Sequence, residues 1–540
     1  MDVIKLLGIG ISSLLLTALP GAAAESLRFS VGTVEFSIPV EGLEAYAEGE
    51  NLGEYEQLAA YLRLLSPERQ ERVREILRSR YEYSSAEIEQ FLNSPMVSEF
   101  LLKIGDILQT ESRENGADAL QTAIVEASDR PGGFTLVDIV REFPSPSLYL
   151  DIERAIDGLA KVAVLVDQTR AVVGAIEELA LQEAAAEPVV DFFQLPDLRE
   201  KGPNSSSKQT FTVSVPFRDR NFEVDLYLPS TLETGTQNDI PTLIISHGLA
   251  SDRARFEPLA RHLASYGFAV AVPQHPGSDY QQLQDLLSGQ ASDLFEPQQF
   301  RDRPADISRV LDHLEELNQT QFSGRLNLEN VGILGHSLGG YTALAVAGAP
   351  INFDQLEADC NLETLPVNPS LFLQCRALEL PRTATEFGDP RVGAILAINP
   401  VNSSILGASG LAKIDTPVMV VASSLDLLAP AVLEQVKSFT WLTSRDRYLV
   451  LKENDHHFFD AGGFTSEAIP EFGSLIRASQ EITNAYVNAL SVAFFKVHIA
   501  DESEYRSYLQ SGYAIAISNP AYPLHLVRSL TSSELLKVLR

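Results

Sequence analysis

The sequence predicts an α/β fold, a mostly parallel sheet with helices on both faces, preceded by a small mainly helical domain. Three observations carry this. From Thr210 onward, short apolar runs alternate with amphipathic helical patterns. Several of those runs are continuously apolar, as strands buried on both faces require. Before residue 186 the periodicity is helical, and 540 residues exceed what one ordinary domain holds.

Along the chain, Lys5, the apolar or small run Leu6–Pro20 and the small residues Ala22-Ala23-Ala24 read as an export signal over 1–24, cleaved before Glu25. An uncleaved anchor is the alternative, but the run falls short of the roughly 20 residues a spanning helix needs. Residues 27–38 alternate around a glycine and predict a small hairpin. Helix signals follow: Ser66 and Pro67 open one helix, and Ser84 with Glu87 has capping-box spacing. Further helices are expected at 97–109, 117–128 and 148–185. Residues 25–185 thus read as a helical domain without a catalytic constellation. The prolines and the Gly-Pro-Asn-Ser run in 186–209 mark a linker, part of it packed on a neighbour.

Residues 210–540 form the expected catalytic domain. It opens with two alternating strands, FTVSVP and FEVDLYLP. Strand-like runs then recur at 241–248, 268–276, 330–337, 391–400, 417–426 and 446–455, with helix patterns between them. An insertion at about 350–385 holds both cysteines, Cys360 and Cys375. In an exported chain the pair suggests a disulfide, and two free buried thiols are the alternative. The insertion reads either as a lid over the site or as a stapled surface excursion.

The formal net charge is −32 and the isoelectric point about 4.6, which disfavours nucleic-acid binding. No later segment is apolar and long enough to span a membrane. Neither a metal nor a cofactor is implied, and the oligomeric state is not legible.

The chemistry concentrates at Gly335-His336-Ser337-Leu338-Gly339, set between an apolar run and a helix. A sharp strand-to-helix turn presents a serine oxygen above the sheet edge, and the Leu338 amide lies beside it as an oxyanion donor. A second donor is expected after an earlier strand, where His247-Gly248 leads to the Leu249 N–H. The acid and base should follow in chain order. Asp426 stands at one strand exit, with a helix cap as its plainer reading. The next strand exits into Asp455-His456-His457. Adjacent histidines with no Cys/His cluster nearby make a poor metal site. His247 reads as a loop residue or one that supports the site from behind, rather than as a base, and His275 as a pocket-lining or plain turn residue.

With these residues in view, the segments SHGLASDRARFEPLARHLASYGFAVAVPQHPGSD, ILGHSLGGYTALAVAG and DPRVGAILAINP resemble the α/β-hydrolase superfamily. Within it they resemble dienelactone-hydrolase-like and platelet-activating-factor-acetylhydrolase-like serine esterases, over roughly residues 208–500. VEFSIPVEGLEAYAEGE and PGGFTLVDIVREFPSPSLYLDI resemble a helical domain of unknown function that precedes such hydrolases in cyanobacterial-type secreted proteins. The resemblance implies the α/β-hydrolase fold and a Ser337, Asp426, His457 triad. His457 is preferred because the His-Phe step recurs after this strand in related esterases, and His456 stays a rival. The expected protein is an exported, periplasmic or extracellular serine hydrolase acting on a small-molecule or lipid ester. A peptidase or acyltransferase, or a catalytically silent envelope binding protein, is the alternative.

Overall fold

The computed structural model describes residues 23–215, 220–234, 239–360, 367–383, 386–457 and 470–540. The expected export signal lies outside them apart from Ala23 and Ala24, as do Phe458 and parts of the 350–385 insertion. The chain divides into two compact units, Met1–Ala160 with Asp285–Asp293, and Lys161–Gln284 with Leu294–Arg540.

In the first unit, β1 (Ser26–Val31) and β2 (Val34–Pro39) form the expected hairpin, turning on Gly32 at φ 60°. Two further strands, β3 (Leu108–Gln109) and β4 (Ser147–Leu150), complete a sheet of order β2-β1-β4-β3. Ser66 caps the helix Pro67–Arg78, and Ser84 with Glu87 closes a capping box on Ser85–Leu92. The helix Ala117–Ser128 matches its expected bounds and buries Leu120 and Ala123 beside Phe143. Two readings change. The helix expected at 97–109 ends at Gly105, and the helix expected from 148 starts at Ile152. Ser147–Leu150 instead pairs in parallel with β1, a long-range ladder that overrides local helical preference.

The helix Ile152–Ala186 begins in the first unit and ends in the second. Its later turns bury Val172, Ile176 and Ala180 on one stripe. Glu187 there accepts from the Ser511 and Gly512 amides, and Glu183 from those of Arg528 and Ser529. In the following stretch Leu198 is buried in the main apolar core, and strand structure starts at Ser206 rather than Thr210.

The second unit is built on a nine-stranded sheet of order β13-β12-β11-β10-β9-β7-β8-β6-β5. Its strands are β5 (Ser206–Val215), β6 (Arg220–Pro229), β7 (Ile240–Ser246), β8 (Ala269–Pro273), β9 (Leu326–His336), β10 (Val392–Ile398), β11 (Val418–Ser423), β12 (Arg447–Lys452) and β13 (Leu524–Val527). From β8 to β12 neighbours pair in parallel, whereas β5, β6 and β13 run antiparallel at the margins. The continuously buried runs of β7, β8 and β11, and of β10 from Ala394 on, explain the apolar segments in the sequence. The helix Pro470–His498 covers one face with Tyr486, Leu490, Phe494 and Phe495. Parallel order carries the C-terminal ends of β7, β9, β10, β11 and β12 to one edge, where α/β sheets form their sites.

The insertion is tied down beside that edge. Cys360 and Cys375 form a disulfide. The carboxyl group of buried Glu434 accepts from Asn368 Nδ2, Ser370 Oγ, Gln374 Nε2, the amides of Asn402 and Ser403, and Ser403 Oγ. Gln374 Oε1 in turn accepts from the Ser404 and Ile405 amides. Replacing Glu434 by Ala strands these buried donors, each of which costs about 1–3 kcal/mol when unsatisfied. Glu434→Ala is therefore expected to lose more than about 3 kcal/mol in denaturant unfolding, with Glu434→Gln losing clearly less.

Candidate active site

β9 ends at His336, and the chain turns at once into the helix Leu338–Val346. Ser337 makes the turn at φ 55° and ψ −117°, a backbone region that costs a non-glycine residue about 1–3 kcal/mol. The flanking glycines allow it. A Cβ at Gly335 would lie 1.9 Å from the Gly339 oxygen, and one at Gly339 would lie 2.0 Å from the Ser246 oxygen. The Ser337 amide donates to Ile398 O at 2.9 Å, which fastens the turn to β10.

Asp426 follows the end of β11 and His457 follows β12. His457 Nε2 lies 2.9 Å from Ser337 Oγ, and its Nδ1 lies 2.7 Å from Asp426 Oδ2. With Nδ1 donating to the carboxyl group, Nε2 is the acceptor that faces the hydroxyl. Asp426 Oδ1 accepts from the Leu428 and Ala429 amides at 3.0 and 2.7 Å. Oδ1 thus ties the turn after β11 while Oδ2 faces the ring. The helix cap weighed for Asp426 is not formed, since the helical segment that follows starts at Ala431 with no side-chain cap. His456 turns elsewhere, with Nδ1 3.3 Å from Leu425 O.

The His457 backbone is gripped from below. Its carbonyl accepts from His336 Nε2 at 2.8 Å and Asn399 Nδ2 at 3.0 Å. Burial and the neighbouring His457 ring push His336 down to about 3, so it is neutral and donates from Nε2. Asn399 also accepts from Ser423 Oγ, which donates as well to Asp455. Asp455 pairs with Lys452 Nζ at 2.5 Å, both buried.

The turn after β7 lies against the elbow: a Cβ at Gly248 would stand 3.4 Å from Ser337 Cβ. No acceptor among the described residues takes the Leu249 or Leu338 N–H. Behind the turn sits Arg303, fully buried on the helix Gln299–Thr320. It donates to His247 O at 2.6 Å, Gly248 O at 3.3 Å and Ser278 Oγ at 2.9 Å. His247 is neutral because burial holds it well below its ordinary value. Its Nε2 accepts from the His275 amide at 3.1 Å, so Nδ1 carries the proton and donates to Gly248 O at 2.8 Å.

His275, read as a pocket-lining or plain turn residue, is fully buried under this turn. Its Nε2 meets Ser246 Oγ at 3.0 Å and its Nδ1 meets Asp306 Oδ2 at 2.9 Å. Burial pushes the Asp306 carboxyl up to about 7, against the pull of Arg220, and pushes the His275 ring down. Burial thus disfavours the charged form of each group, and Arg220 pairs with the same Asp306 oxygen.

Sequence reasoning missed Arg303, Asn399 and the part played by His336. One signal was available. Phe300, Arg303, Ile307, Val310 and Leu314 recur at helical spacing, so Arg303 interrupts a buried stripe. Asn399 ends an apolar strand, but nothing local tells what a polar residue there would hold.

A family model described as an alpha/beta hydrolase of unknown function matches residues 23–151, and one described as alpha/beta hydrolase fold matches residues 241–371. The second spans β7, β8, β9 and the Ser337 turn, and together with the nine-stranded sheet it shows the α/β-hydrolase fold. The first lies within the unit of small sheet and helices. No curated protein matches the chain.

The buried His336 predicts a pH dependence. Its folded-state value of about 3 lies below the ordinary 6.5, so the unfolded chain binds more protons between them. Its contribution is present above pH 6.5 and is lost as pH falls toward 3. Urea unfolding across this window is expected to give falling stability, with a shallower slope for His336→Gln.

Proposed function

We propose that this α/β hydrolase is an exported serine hydrolase that cleaves carboxylic esters through an acyl-enzyme on Ser337. The observation that carries the reading is the unbroken hydrogen-bonded line from Ser337 Oγ through His457 to Asp426. His457 takes the hydroxyl proton as Ser337 Oγ bonds to the ester carbonyl carbon. Asp426 holds the ring and stabilises the imidazolium. The Leu249 and Leu338 N–H groups receive the developing oxyanion. The imidazolium then gives its proton to the leaving alcohol. Water, deprotonated by His457, adds to the acyl carbon, and the acid departs with Ser337 restored.

Leu425, Leu427 and Leu428 are 44, 73 and 46 % exposed around Asp426, an apolar rim that suits an acyl chain. The Cys360–Cys375 disulfide fits an oxidising compartment.

Fluorophosphonate labelling tests the class, with an adduct on Ser337 expected and none on Ser337→Ala. Labelling that survives the alanine replacement defeats the assignment. Steady-state kinetics on p-nitrophenyl esters separate the histidines. His457→Ala should lose at least about a thousandfold in kcat, and His456→Ala less than about tenfold.

A further inference from the structure

We infer that Arg303 is a positioning residue for the oxyanion site, aiming the Leu249 N–H by holding the opposite side of its peptide. The inference rests on the serine-hydrolase reading above. Among the described residues no peptide bond is cis, so the carbonyl and N–H of each peptide in the turn point in opposite directions. The Gly248 carbonyl is taken by Arg303 at 3.3 Å and by His247 Nδ1 at 2.8 Å. Its partner across the peptide bond, the Leu249 N–H, is therefore directed away from Arg303. The elbow lies on Gly248's own contact surface, 3.4 Å from a Cβ built there. The His247 carbonyl, 2.6 Å from Arg303, fixes the preceding peptide in the same way.

The chemistry of Arg303 suits this duty. It is 0 % exposed, and its hydrogen bonds go to the His247, Gly248 and Ser278 carbonyls and to Ser278 Oγ. A buried guanidinium spent on backbone carbonyls holds several peptides with one planar fork, which a lysine point charge does not reproduce. Donation to a peptide oxygen also polarises that peptide and strengthens its N–H as a donor. Arg303 touches neither Ser337 nor His457 in any hydrogen bond described above, so its effect passes through the turn.

The test compares wild type, Arg303→Lys and Ser278→Ala, which removes the hydroxyl 2.9 Å from Arg303 Nε. Each is assayed for kcat and KM on p-nitrophenyl butyrate and for inhibition by a trifluoromethyl ketone, whose adduct carries an oxyanion. Loss of an oxyanion donor typically lowers kcat about 10²–10³-fold. Arg303→Lys should approach the lower figure with KM within about threefold, and the ketone's inhibition constant should rise in proportion. Ser278→Ala should fall the same way by a smaller factor, and it decides the matter if the lysine variant does not fold. An unchanged kcat, a change confined to KM, or a kcat loss with unaltered ketone inhibition overturns the inference. Wild-type protein that neither turns over the ester nor takes a fluorophosphonate defeats the serine-hydrolase reading itself, before any variant is compared.

Discussion

Ser337 holds a backbone conformation that its own side chain disfavours, and the surrounding geometry follows from keeping it there. The turn works only if strand and helix approach almost to contact, which the Gly335 and Gly339 backbones permit. The same approach presses the helix Leu338–Val346 against β10 and the turn after β7. It leaves the Leu338 N–H at a helix start, where amides have no intrahelical acceptor. Strain at one residue is thus repaid by packing across three strands.

Beneath the hydroxyl, His457 is held by its backbone as much as by its ring. The His457 carbonyl takes two donors, His336 and Asn399, and the preceding residues are tied through Asp455 to Lys452, Ser423 and Thr483. A buried polar layer of this kind is costly when incomplete, and removing one partner of a buried ion pair costs about 3–5 kcal/mol. When satisfied, it leaves the loop after β12 few alternative conformations. Glu434 does the same for the insertion, whose Asn368, Ser370 and Gln374 side chains converge on one carboxyl group.

The described residues contain two Ser–His–Asp arrangements with similar contact distances, and their surroundings separate them. Ser246 on β7, His275 just past β8 and Asp306 on the helix Gln299–Thr320 are all buried, where a reagent has no approach. Ser337 is 7 % exposed on a strained turn at the sheet edge, with amide donors beside it. A relay by itself does not define a nucleophile; presentation and an oxyanion site do. The inner arrangement instead helps hold the β7 turn, since the His275 amide fixes the His247 tautomer.

The sequence by itself determined the elements whose signals are local. Apolar runs marked the parallel strands, Ser66 and Ser84 marked helix starts, and glycine spacing marked the Ser337 turn. Chain order alone nominated Asp426 and the histidine pair, since strand exits can be read one at a time. Tertiary structure alone decided that Ser147–Leu150 is a strand, because its partner β1 lies more than a hundred residues upstream. It also decided which histidine faces the hydroxyl. That depends on the β12 register and on bonds between residues 31 and 120 positions apart, which no periodicity encodes. Arg303 belongs to the same class. Its stripe was legible as a buried helical face, but the carbonyls it holds come from a turn 55 and 56 residues away. Local patterns report which face of an element is apolar. Only the folded sheet brings together the groups that satisfy one another across it.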